Sequence, residues 1–382
     1  MATKRSHYLE LIQDPIYRSL RLFKHFDYSI LFAVLGLCFI GILIIYSTTH
    51  VQTGDQGSLS TIKKQLLYVA AGIFCMLLAA AIDYHEIEKI ALPLYILAVL
   101  ALVYVILFGR VTAGARRWIE FAGHDFQPTE FAKIALMIFL SSFLSRYKGK
   151  LSYNVYFIAP FFITGIMMLL IFRQPDLGSS MVFLAILLSM LFVAGIKWKH
   201  ILMMLLITIA SFPVLWSFLK DYQKDRILLF LNPNLDPLGA GYNIIQSKVA
   251  IGSGGLFGQG LFSGIQSQLK FLPAQHTDFV FSVVGEELGF FGASILLILF
   301  FFLLWRGIKI AQESPDLLGT FLATGVVSFY FFHIFINIGM AMGLMPATGL
   351  PLSFISYGGT FMLTNFLAMG LLMNVHLRSI YS

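Results

Sequence analysis

Long apolar runs recur along the whole 382-residue chain, and short segments that carry most of the charge separate them. Several runs reach the roughly eighteen residues that an α-helix needs to cross the hydrocarbon core of a bilayer. A backbone in lipid must satisfy its own hydrogen bonds, which a helix does and an open sheet does not. The pattern therefore predicts an all-α, polytopic membrane protein with about ten transmembrane helices. We place them near 29–48, 64–83, 88–108, 130–146, 154–172, 179–195, 199–218, 279–304, 317–342 and 350–377.

The composition supports this prediction. Hydrophobic residues make up 58% of the chain, charged residues only 12%, and the mean hydropathy is +0.83. Both cysteines, Cys38 and Cys75, lie inside apolar runs, which indicates packing residues and not a disulfide framework. No segment has the composition of a soluble domain or a disordered tail, so residues 1–382 are predicted to form a single transmembrane domain.

Lysine and arginine residues predict the orientation, because short cytoplasmic loops are enriched in them. The N-terminal segment, 1–28, carries Lys4, Arg5, Arg18, Arg21 and Lys24. Counting spans places further basic residues on the same side, namely Arg146, Lys148, Lys150, Lys197, Lys199, Arg306, Lys309 and Arg378. Both termini are therefore predicted to be cytoplasmic.

The predicted outer loops are basic as well, which breaks the expected asymmetry. They contain Arg116, Arg117, Arg173, Lys220, Lys224, Arg226, Lys248 and Lys270. The net charge of +7 is spread over short loops on both sides. It favours membrane topology together with an anionic, lipid-like substrate, and argues against nucleic acid as a partner.

A long segment, 219–278, connects the seventh and eighth predicted spans on the outer side. Connections of this length are usually functional or disordered. This one contains "GYNIIQSKVAIGSGGLFGQG", with apolar residues at helical intervals and many glycines. We predict an extracytoplasmic loop with short amphipathic helices that lie on or dip into the outer leaflet. Its glycines could cradle phosphate through backbone amides, or could simply form turns.

The stretch "AQHTDF" ends this loop with three polar side chains, those of His276, Thr277 and Asp278. Asp278 could be the N-cap of the next span, a role that position alone favours about as much as chemistry. It could also act as a general base or hold a divalent cation. His276 is more simply a hydrogen-bond partner than a catalyst.

Two adjacent carboxylates, those of Glu286 and Glu287, interrupt the apolar run that follows Asp278. Intramembrane carboxylates normally face a cavity or a cationic partner. For Glu287 we favour a buried ion pair that fixes helix packing. The run is longer than one span needs, so we predict tilt or a break near Gly285 or Gly289.

A second polar stretch, "ARRWIEFAGHDFQPTEFAK", precedes the fourth predicted span. Glu130 and Lys133 lie three residues apart on this helix, where their side chains can pair. Arg116 and Arg117 lie on the outer side, and guanidinium groups grip pyrophosphate through forked hydrogen bonds. For Arg116 alone, a solvated loop charge is the simpler interpretation.

Two further turns invite interpretation. "RQPDLG", at 173–178, is explained by an internal arginine–aspartate pair. "MPATGLPLSFISYGGT", which opens the last span, contains small residues that favour close helix packing. Alternatively, Ser353, Ser356 and Thr360 line a polar cavity.

Together these segments resemble the SEDS family (shape, elongation, division and sporulation) over nearly the whole chain. The motifs "QPTEFAK", "RQPDLGSS", "QSKVAIGSGG", "FLPAQHTDF" and "MPATGLPLSFISYGGT" carry the resemblance in order, and "QSKVAIGSGG" and "GIQSQLKFLP" resemble its elongation member most. The resemblance implies a glycosyltransferase of the bacterial cytoplasmic (inner) membrane that polymerises lipid II into peptidoglycan during cell elongation, with undecaprenyl pyrophosphate as leaving group. It also implies a catalytic role for Asp278 and substrate contacts for Arg117, Glu130 and Lys133. We add Arg116, His276, Thr277 and Glu286 as candidate substrate contacts.

The resemblance implies partners too: a class B penicillin-binding protein and other membrane proteins of the elongation complex. A departure from the family is Ala274, which stands where glutamate usually follows the proline of "FLP". Two alternatives remain open at this point. One is a lipid II transporter that flips its substrate without making bonds, and the other is a scaffold for the penicillin-binding partner.

Overall fold

The computed structural model describes residues 26–112, 115–121, 124–150, 154–197, 199–200, 241–269, 271–272 and 274–380, with isolated residues between 202 and 236. Its helices are α1 (Tyr28–Ala81), α2 (Tyr84–Lys89), α3 (Ala91–Phe108), α4 (Pro128–Tyr147), α5 (Asn154–Arg173), α6 (Leu177–Val193), α7 (Tyr242–Ser253), α8 (Ile265–Gln268), α9 (Val280–Glu313), α10 (Leu317–Ala341) and α11 (Gly359–Ser379).

Eight helical segments of the described residues are long and apolar enough to cross a membrane. Two of them, Tyr28–His50 and Gly57–Ala81, belong to α1, and the others lie in α3, α4, α5, α9, α10 and α11. The apolar helix α6 is shorter. These nine segments correspond to nine of the predicted spans. The remaining one, 199–218, lies mostly outside the described residues, as does the N-terminal segment.

The two halves of α1 pack against the last part of the chain. Gly41 lies against the backbone of Ile355, and Gly72 lies against the ring of Phe366, so neither position has room for a side chain. Asp27, before α1, binds Arg306, while the carbonyls of Ala80 and Ala81, at its end, accept bonds from Arg378. Both ends of α1 are thus at one end of the bundle, which we call the inner end, and the two spans run antiparallel.

The opposite, outer end carries a small antiparallel sheet that the all-α prediction does not include. Its strands are β1 (Arg110–Thr112), β2 (Ala115–Phe121) and β3 (His124–Phe126), in the order β1-β2-β3. Arg110 pairs with Trp118, and Glu120 pairs with Asp125. The strands are too short and too polar to span a membrane, so hydropathy gives no signal for them.

Helix α9 is broken, as the sequence predicts, and the break is at Gly289, with φ 64° and ψ −161°. The glycine-rich loop between α7 and α8 fills the gap. The N–H groups of Gln259 and Gly260 donate to the carbonyls of Glu286 and Glu287, and the N–H of Phe290 donates to the carbonyl of Gly255. These loop amides are therefore bound to α9, which argues against the phosphate cradle considered above.

The last span begins later than predicted, at Gly359 instead of position 350. The preceding segment, 342–358, is irregular and folds back into the bundle. Positive φ angles at Gly343 (70°), Gly349 (73°) and Phe354 (63°) exclude a helix there. Pro346 and Pro351 cannot donate the backbone hydrogen bonds that a helix needs. Ser353 and Ser356 are buried in this segment, so close packing explains them better than an open polar cavity.

Candidate active site

Asp278 is half-buried at the outer end, immediately before α9. Phe279, not Asp278, occupies the N-cap position of that helix, so the predicted capping role is wrong. The backbone of Asp278 is held on both sides. Its N–H donates to the carbonyl of Ala274 (3.0 Å), and its carbonyl accepts from the Asn337 side chain (2.8 Å). The backbone position of this aspartate is therefore set by hydrogen bonds to its N–H and its carbonyl.

Gly349, in the irregular segment 342–358 (the fold-back segment), lies beside the Asp278 carboxylate. A Cβ atom built at Gly349 would lie 3.4 Å from Asp278 Oδ2. The φ of 73° at this position also favours glycine. Asn337 fixes the same juxtaposition, since its Nδ2 donates to the carbonyls of both Asp278 and Leu350 at 2.8 Å.

His276 and Thr277 contribute mainly their backbones to this arrangement. The carbonyl of His276 accepts from the N–H of Tyr357 (2.9 Å), and the carbonyl of Thr277 accepts from Ser356 Oγ (2.6 Å). The Thr277 hydroxyl donates to the carbonyl of Ala274. Burial lowers the pKa of His276, so its ring is neutral near pH 7. The two residues lie beside Asp278 as predicted, and their role as substrate contacts stays a prediction.

Arg117 holds the outer turn between α5 and α6. Its Nε donates to the carbonyl of Gln174 (3.0 Å) and its Nη2 to that of Pro175 (2.5 Å), while Nη1 lies 3.8 Å from Asp176 Oδ2. The arginine that pairs with Asp176 is thus Arg117, not Arg173 of the same turn. Asp176 itself caps α6 by accepting from the N–H of Ser179.

This turn connects Arg117 to the neighbourhood of Asp278. Gly178, at the start of α6, lies against the carbonyl of Thr348, so that a Cβ there would be only 2.9 Å from it. Thr348 precedes Gly349, which adjoins the Asp278 carboxylate. Arg117, on β2, therefore binds a turn that touches the segment beside Asp278. Arg116 points elsewhere: its Nη1 donates to the carbonyl of Leu107 at the end of α3.

Lys133 and Glu130 are buried within the bundle, not at its rim. Lys133 Nζ lies 2.7 Å from Glu130 Oε1 and 3.2 Å from His333 Nε2. His333 Nδ1 lies 3.1 Å from the carbonyl of Pro351, which only an N–H on that nitrogen can satisfy. His333 Nε2 is then the acceptor for the Lys133 ammonium, and the imidazole is neutral. The predicted ion pair between Glu130 and Lys133 is present. Through His333 it is hydrogen-bonded to the carbonyl of Pro351, in the fold-back segment beside Asp278.

Glu286 and Glu287 lie away from these groups and anchor the outer loop. Glu286 accepts from the N–H groups of Gln266 (2.6 Å) and Ser267 (3.1 Å), at the start of α8. Glu287 Oε1 accepts from Ser47 Oγ (2.5 Å), which itself accepts from the N–H of Phe262. The buried ion pair favoured for Glu287 is wrong within the described residues, where no lysine or arginine lies within ion-pair distance.

Sequence reasoning missed Asn337 and His333, both fully buried in α10. The signal was present, because two polar residues one turn apart interrupt the apolar run "FFHIFINIG", and intramembrane polar groups usually have a structural or functional partner. As for metals, no group of three or more His, Cys, Asp or Glu side chains clusters within the part of the chain that the structure describes. A divalent cation at Asp278 stays a prediction.

An apolar cavity of about 360 Å³ lies between α3 and α4 and reaches the outer sheet. Its lining includes Leu94, Ala98, Phe126, Phe131 and Ile138. Helix α4 therefore presents this cavity on one face and buries Lys133 against α10 on another.

Fold and site thus define a multi-pass membrane protein whose polar side chains converge at the outer end of a helical bundle. A family model for FtsW, RodA and SpoVE, described as "Cell cycle protein", matches residues 28–380. The chain belongs to this family, as its motifs predict.

Relatives and solved structures agree with this assignment. The peptidoglycan glycosyltransferase MrdB of Escherichia coli K12 is 39% identical over 360 residues, which are 92% of this chain and 94% of MrdB. A chain of a structure described as "Structural coordination of polymerization and crosslinking by a peptidoglycan synthase complex" is 31% identical with a TM-score of 0.79, covering 94% of this chain and 99% of the other. RodA of Thermus thermophilus, a rod shape determining protein, has a TM-score of 0.70 at 27% identity, over 94% and 98% of the two chains.

Proposed function

We propose that Asp278 is the general base of this peptidoglycan glycosyltransferase, which polymerises glycan strands. The substrate we assign is lipid II, a disaccharide-pentapeptide on undecaprenyl pyrophosphate. In each cycle the 4-hydroxyl oxygen of one N-acetylglucosamine bonds to the anomeric carbon of another chain's muramic sugar. The bond from that carbon to the pyrophosphate oxygen breaks, and the hydroxyl proton passes to the Asp278 carboxylate. Undecaprenyl pyrophosphate leaves with the electron pair.

The observation that carries this proposal is the way the fold presents Asp278. Hydrogen bonds of its main chain to the Asn337 side chain and to the Ala274 carbonyl hold the residue, and Gly349, which has no side chain, lies beside its carboxylate. A general base must be held within reach of the proton it accepts. The half-buried position allows a hydroxyl to approach while neighbouring loops exclude part of the solvent.

Positive charge at the leaving group is assigned to Arg117 and Lys133. Arg117 is the more accessible, because its side chain is 32% exposed at the outer end. Its guanidinium is held by carbonyls, and such a fixed donor can stabilise charge that develops on a pyrophosphate without reorganising. Lys133 is fully buried, so its contribution would reach the site through His333 and the fold-back segment. We also propose substrate contacts, secondary to these two, for Arg116, Glu130, His276, Thr277 and Glu286.

The apolar cavity between α3 and α4 is proposed to hold part of the undecaprenyl chain. Its lining is almost free of polar side chains, and it adjoins the strands that carry Arg117. A prenyl chain that stays in such a cavity need not leave the bilayer during the reaction.

The bundle is proposed to work with a class B penicillin-binding protein and other elongation-complex membrane proteins, in the cytoplasmic membrane with both termini inside. Support for the partner comes from the similarity to a chain of a peptidoglycan synthase complex. Support for the orientation comes from the basic inner end. Segments 1–28 and 219–278 are proposed as the cytoplasmic N-terminal segment and the extracytoplasmic loop.

The proposal is tested by incubating the purified chain and its partner with labelled lipid II and resolving the products on a gel. We expect polymer from the wild type and a loss of at least about 100-fold in Asp278→Ala. Asp125→Ala is the matched control, since Asp125 is an exposed aspartate of the outer sheet. Wild-type amounts of polymer from Asp278→Ala would overturn the assignment. Movement of lipid II across sealed vesicles, with no polymer from any variant, would favour the transporter.

A further inference from the structure

A small cationic cavity opens at the inner end of the bundle, at the opposite end of α4 from the candidate active site. We call it the inner notch and define it by its lining: Lys148, Phe157, Leu191, Ala194, Gly195, Ile196, Lys197 and His200. Its volume is about 70 Å³, room for a phosphate group and too little for a nucleotide or a sugar. The function proposed above does not use it.

The titratable side chains that line the inner notch are all basic. Lys148, Lys197 and His200 line it, and Lys199 is next to them in sequence. Between Glu130 and Asp221 the chain has a single acidic residue, Asp176, which caps α6 at the outer end. Among the described residues, no carboxylate lies within ion-pair distance of either lysine that lines the notch.

The elements packed against the notch do not neutralise it either. From α10, the ring of Phe321 faces the Lys148 ammonium at 5.9 Å. From α2, Glu88 is already paired with Arg146 at 2.9 Å. His200 lies against the ring of Phe157 with a centroid distance of 4.7 Å, which fixes it beside the cavity. The notch therefore presents positive charge on an apolar floor.

Backbone amides of the notch are already satisfied. In the turn after α6, the N–H groups of Ala194, Gly195 and Ile196 donate to carbonyls of that helix. An anion in the cavity would consequently be bound by the lysine and histidine side chains, so substitution of those side chains is a direct test.

The mouth of the notch adjoins a surface that suits lipid. Ile158 on α5 and Phe192 and Val193 on α6 are 57%, 67% and 38% exposed. Apolar side chains of that exposure at the end of a span face acyl chains. The notch is thus at the depth of lipid headgroups, at the end of the bundle that the positive-inside rule places in the cytoplasm.

We propose that the inner notch binds the phosphate of an anionic phospholipid from the cytoplasmic leaflet. Basic pockets between transmembrane helices on this side suit anionic headgroups. A zwitterionic lipid brings an ammonium group that the lysines repel, so the site discriminates by headgroup charge. The acyl chains of the bound lipid lie along Phe192 and Val193.

The test uses the full-length protein in nanodiscs, with spin-labelled phosphatidylglycerol and phosphatidylcholine as probes of motionally restricted lipid. We expect Lys148→Gln/Lys197→Gln to reduce the phosphatidylglycerol-over-phosphatidylcholine preference about 30-fold at the site, because each lysine near an anionic headgroup contributes roughly 1 kcal/mol. The control, Lys89→Gln/Lys309→Gln, removes two exposed inner-end lysines that pair with Glu86 and Glu313, and should keep the preference. If the double variant folds poorly, Lys197→Gln alone, at an exposed position, should still lower it.

Two results would overturn the proposal. One is a phosphatidylglycerol-over-phosphatidylcholine preference that is unchanged in the notch variants or is lost equally in the control variant. Either would mean that anionic lipids are attracted to the basic end in general and not to the notch. The other is displacement of the restricted phosphatidylglycerol by millimolar inorganic phosphate, which would mean a site for free phosphate. Persistence of the restricted component in phosphate supports the lipid.

Discussion

The two ends of the bundle both carry charged side chains, but they bind them differently. At the inner end carboxylates pair directly with arginines, as in Asp27–Arg306 and Asp83–Arg378. At the outer end the ion pairs are longer, as in Arg110–Glu120 at 3.5 Å and Arg117–Asp176 at 3.8 Å, and backbone groups make the shorter contacts. Arg117 donates to two carbonyls, and Glu286 accepts from two N–H groups.

The difference indicates two uses of charge. Direct pairs neutralise each other and hold helices together, so Asp27–Arg306 and Asp83–Arg378 form a structural clamp at the inner end, which we call the inner clamp. Arg117 is bound mainly by carbonyls, and Asp176, 3.8 Å from it, offsets only part of its charge. The loop that Glu286 anchors keeps its shape. These contacts fit the proposed binding of an anionic substrate at the outer end.

The largest effect on stability should come from the buried pair below the outer end. Lys133→Met leaves Glu130 as an uncompensated buried carboxylate, so we expect the free energy of unfolding to fall by about 3–5 kcal/mol. Glu130→Gln/Lys133→Met should regain most of that loss, while polymerisation stays low because the cation is missing. Thermal unfolding and lipid II turnover check the two parts. Recovery of turnover in the double variant would mean that the pair is only structural.

Loss of the Asp27–Arg306 pair should lower stability and leave polymerisation unchanged, the reverse of what we expect for the Glu130→Gln/Lys133→Met variant. Arg306 donates to Asp27 from two nitrogens. Burial alone would raise the pKa of Asp27, but hydrogen bonds from Ser29 and Arg306 outweigh the effect of burial, so the pKa is lowered. Arg306→Met should cost about 1.5–3 kcal/mol, the range for hydrogen bonds to charged groups. Polymerisation per folded molecule should not change. A loss of turnover beyond the loss of folded protein would contradict the structural role.

The anchor of the outer loop should have a smaller and local effect. Glu286→Gln keeps one oxygen for two N–H donors, so we expect a loss of about 1–2 kcal/mol and faster amide exchange at Gln266 and Ser267. Glu287→Gln is the matched control, because an amide oxygen can still accept from Ser47. Equal exchange in both variants would mean that Glu286 does not hold α8.

The smallest effect is a pH dependence at the inner end. Burial alone would lower the pKa of His85. Hydrogen bonds and charge interactions with Asp83 and Asp316 outweigh the effect of burial, so the pKa is raised above its ordinary 6.5. The protonated form thus gains stability that is fully present below pH 6.5 and is lost as pH rises through the raised folded-state pKa. Asp83 does not titrate there: burial raises its pKa, but hydrogen bonds from His85 and Arg378 lower it to about 2.

The melting temperature of the wild type relative to His85→Gln should therefore fall as the pH rises above about 6.5. Because His85 is half exposed and screened, the difference should stay below about 1 kcal/mol. A difference that grows with pH would contradict the sign.

The sequence predicted spans well because each is decided locally, by a run of apolar residues that must match the membrane thickness. The break at Gly289 was also local, since an overlong run with glycines and carboxylates cannot continue as one ordinary span. The outer sheet and the late start of α11 were missed. The sheet depends on backbone pairing between its strands. The late start of α11 depends on positive φ at Gly343, Gly349 and Phe354. Hydropathy reports neither.

Within the site, motif resemblance indicated Asp278 and the pair of Glu130 with Lys133. The described contacts show that Arg117, on β2, binds the turn between α5 and α6, and the start of α6 touches the segment beside Asp278. Which partner each charge takes could not be predicted. Asp176 pairs with Arg117 and not with its neighbour in "RQPDLG", and Glu287 takes a hydroxyl from α1. Such choices are set by tertiary distances between segments more than fifty residues apart in the chain.

The most direct test of the central claim separates chemistry from binding at Asp278. Asp278→Asn keeps the shape of the side chain and removes its basicity. We predict that the variant binds lipid II with a Kd within about threefold of the wild type and polymerises it at least about 100-fold more slowly. Binding and turnover lost in equal measure, or polymer formed at the wild-type rate, would contradict a general base at this position.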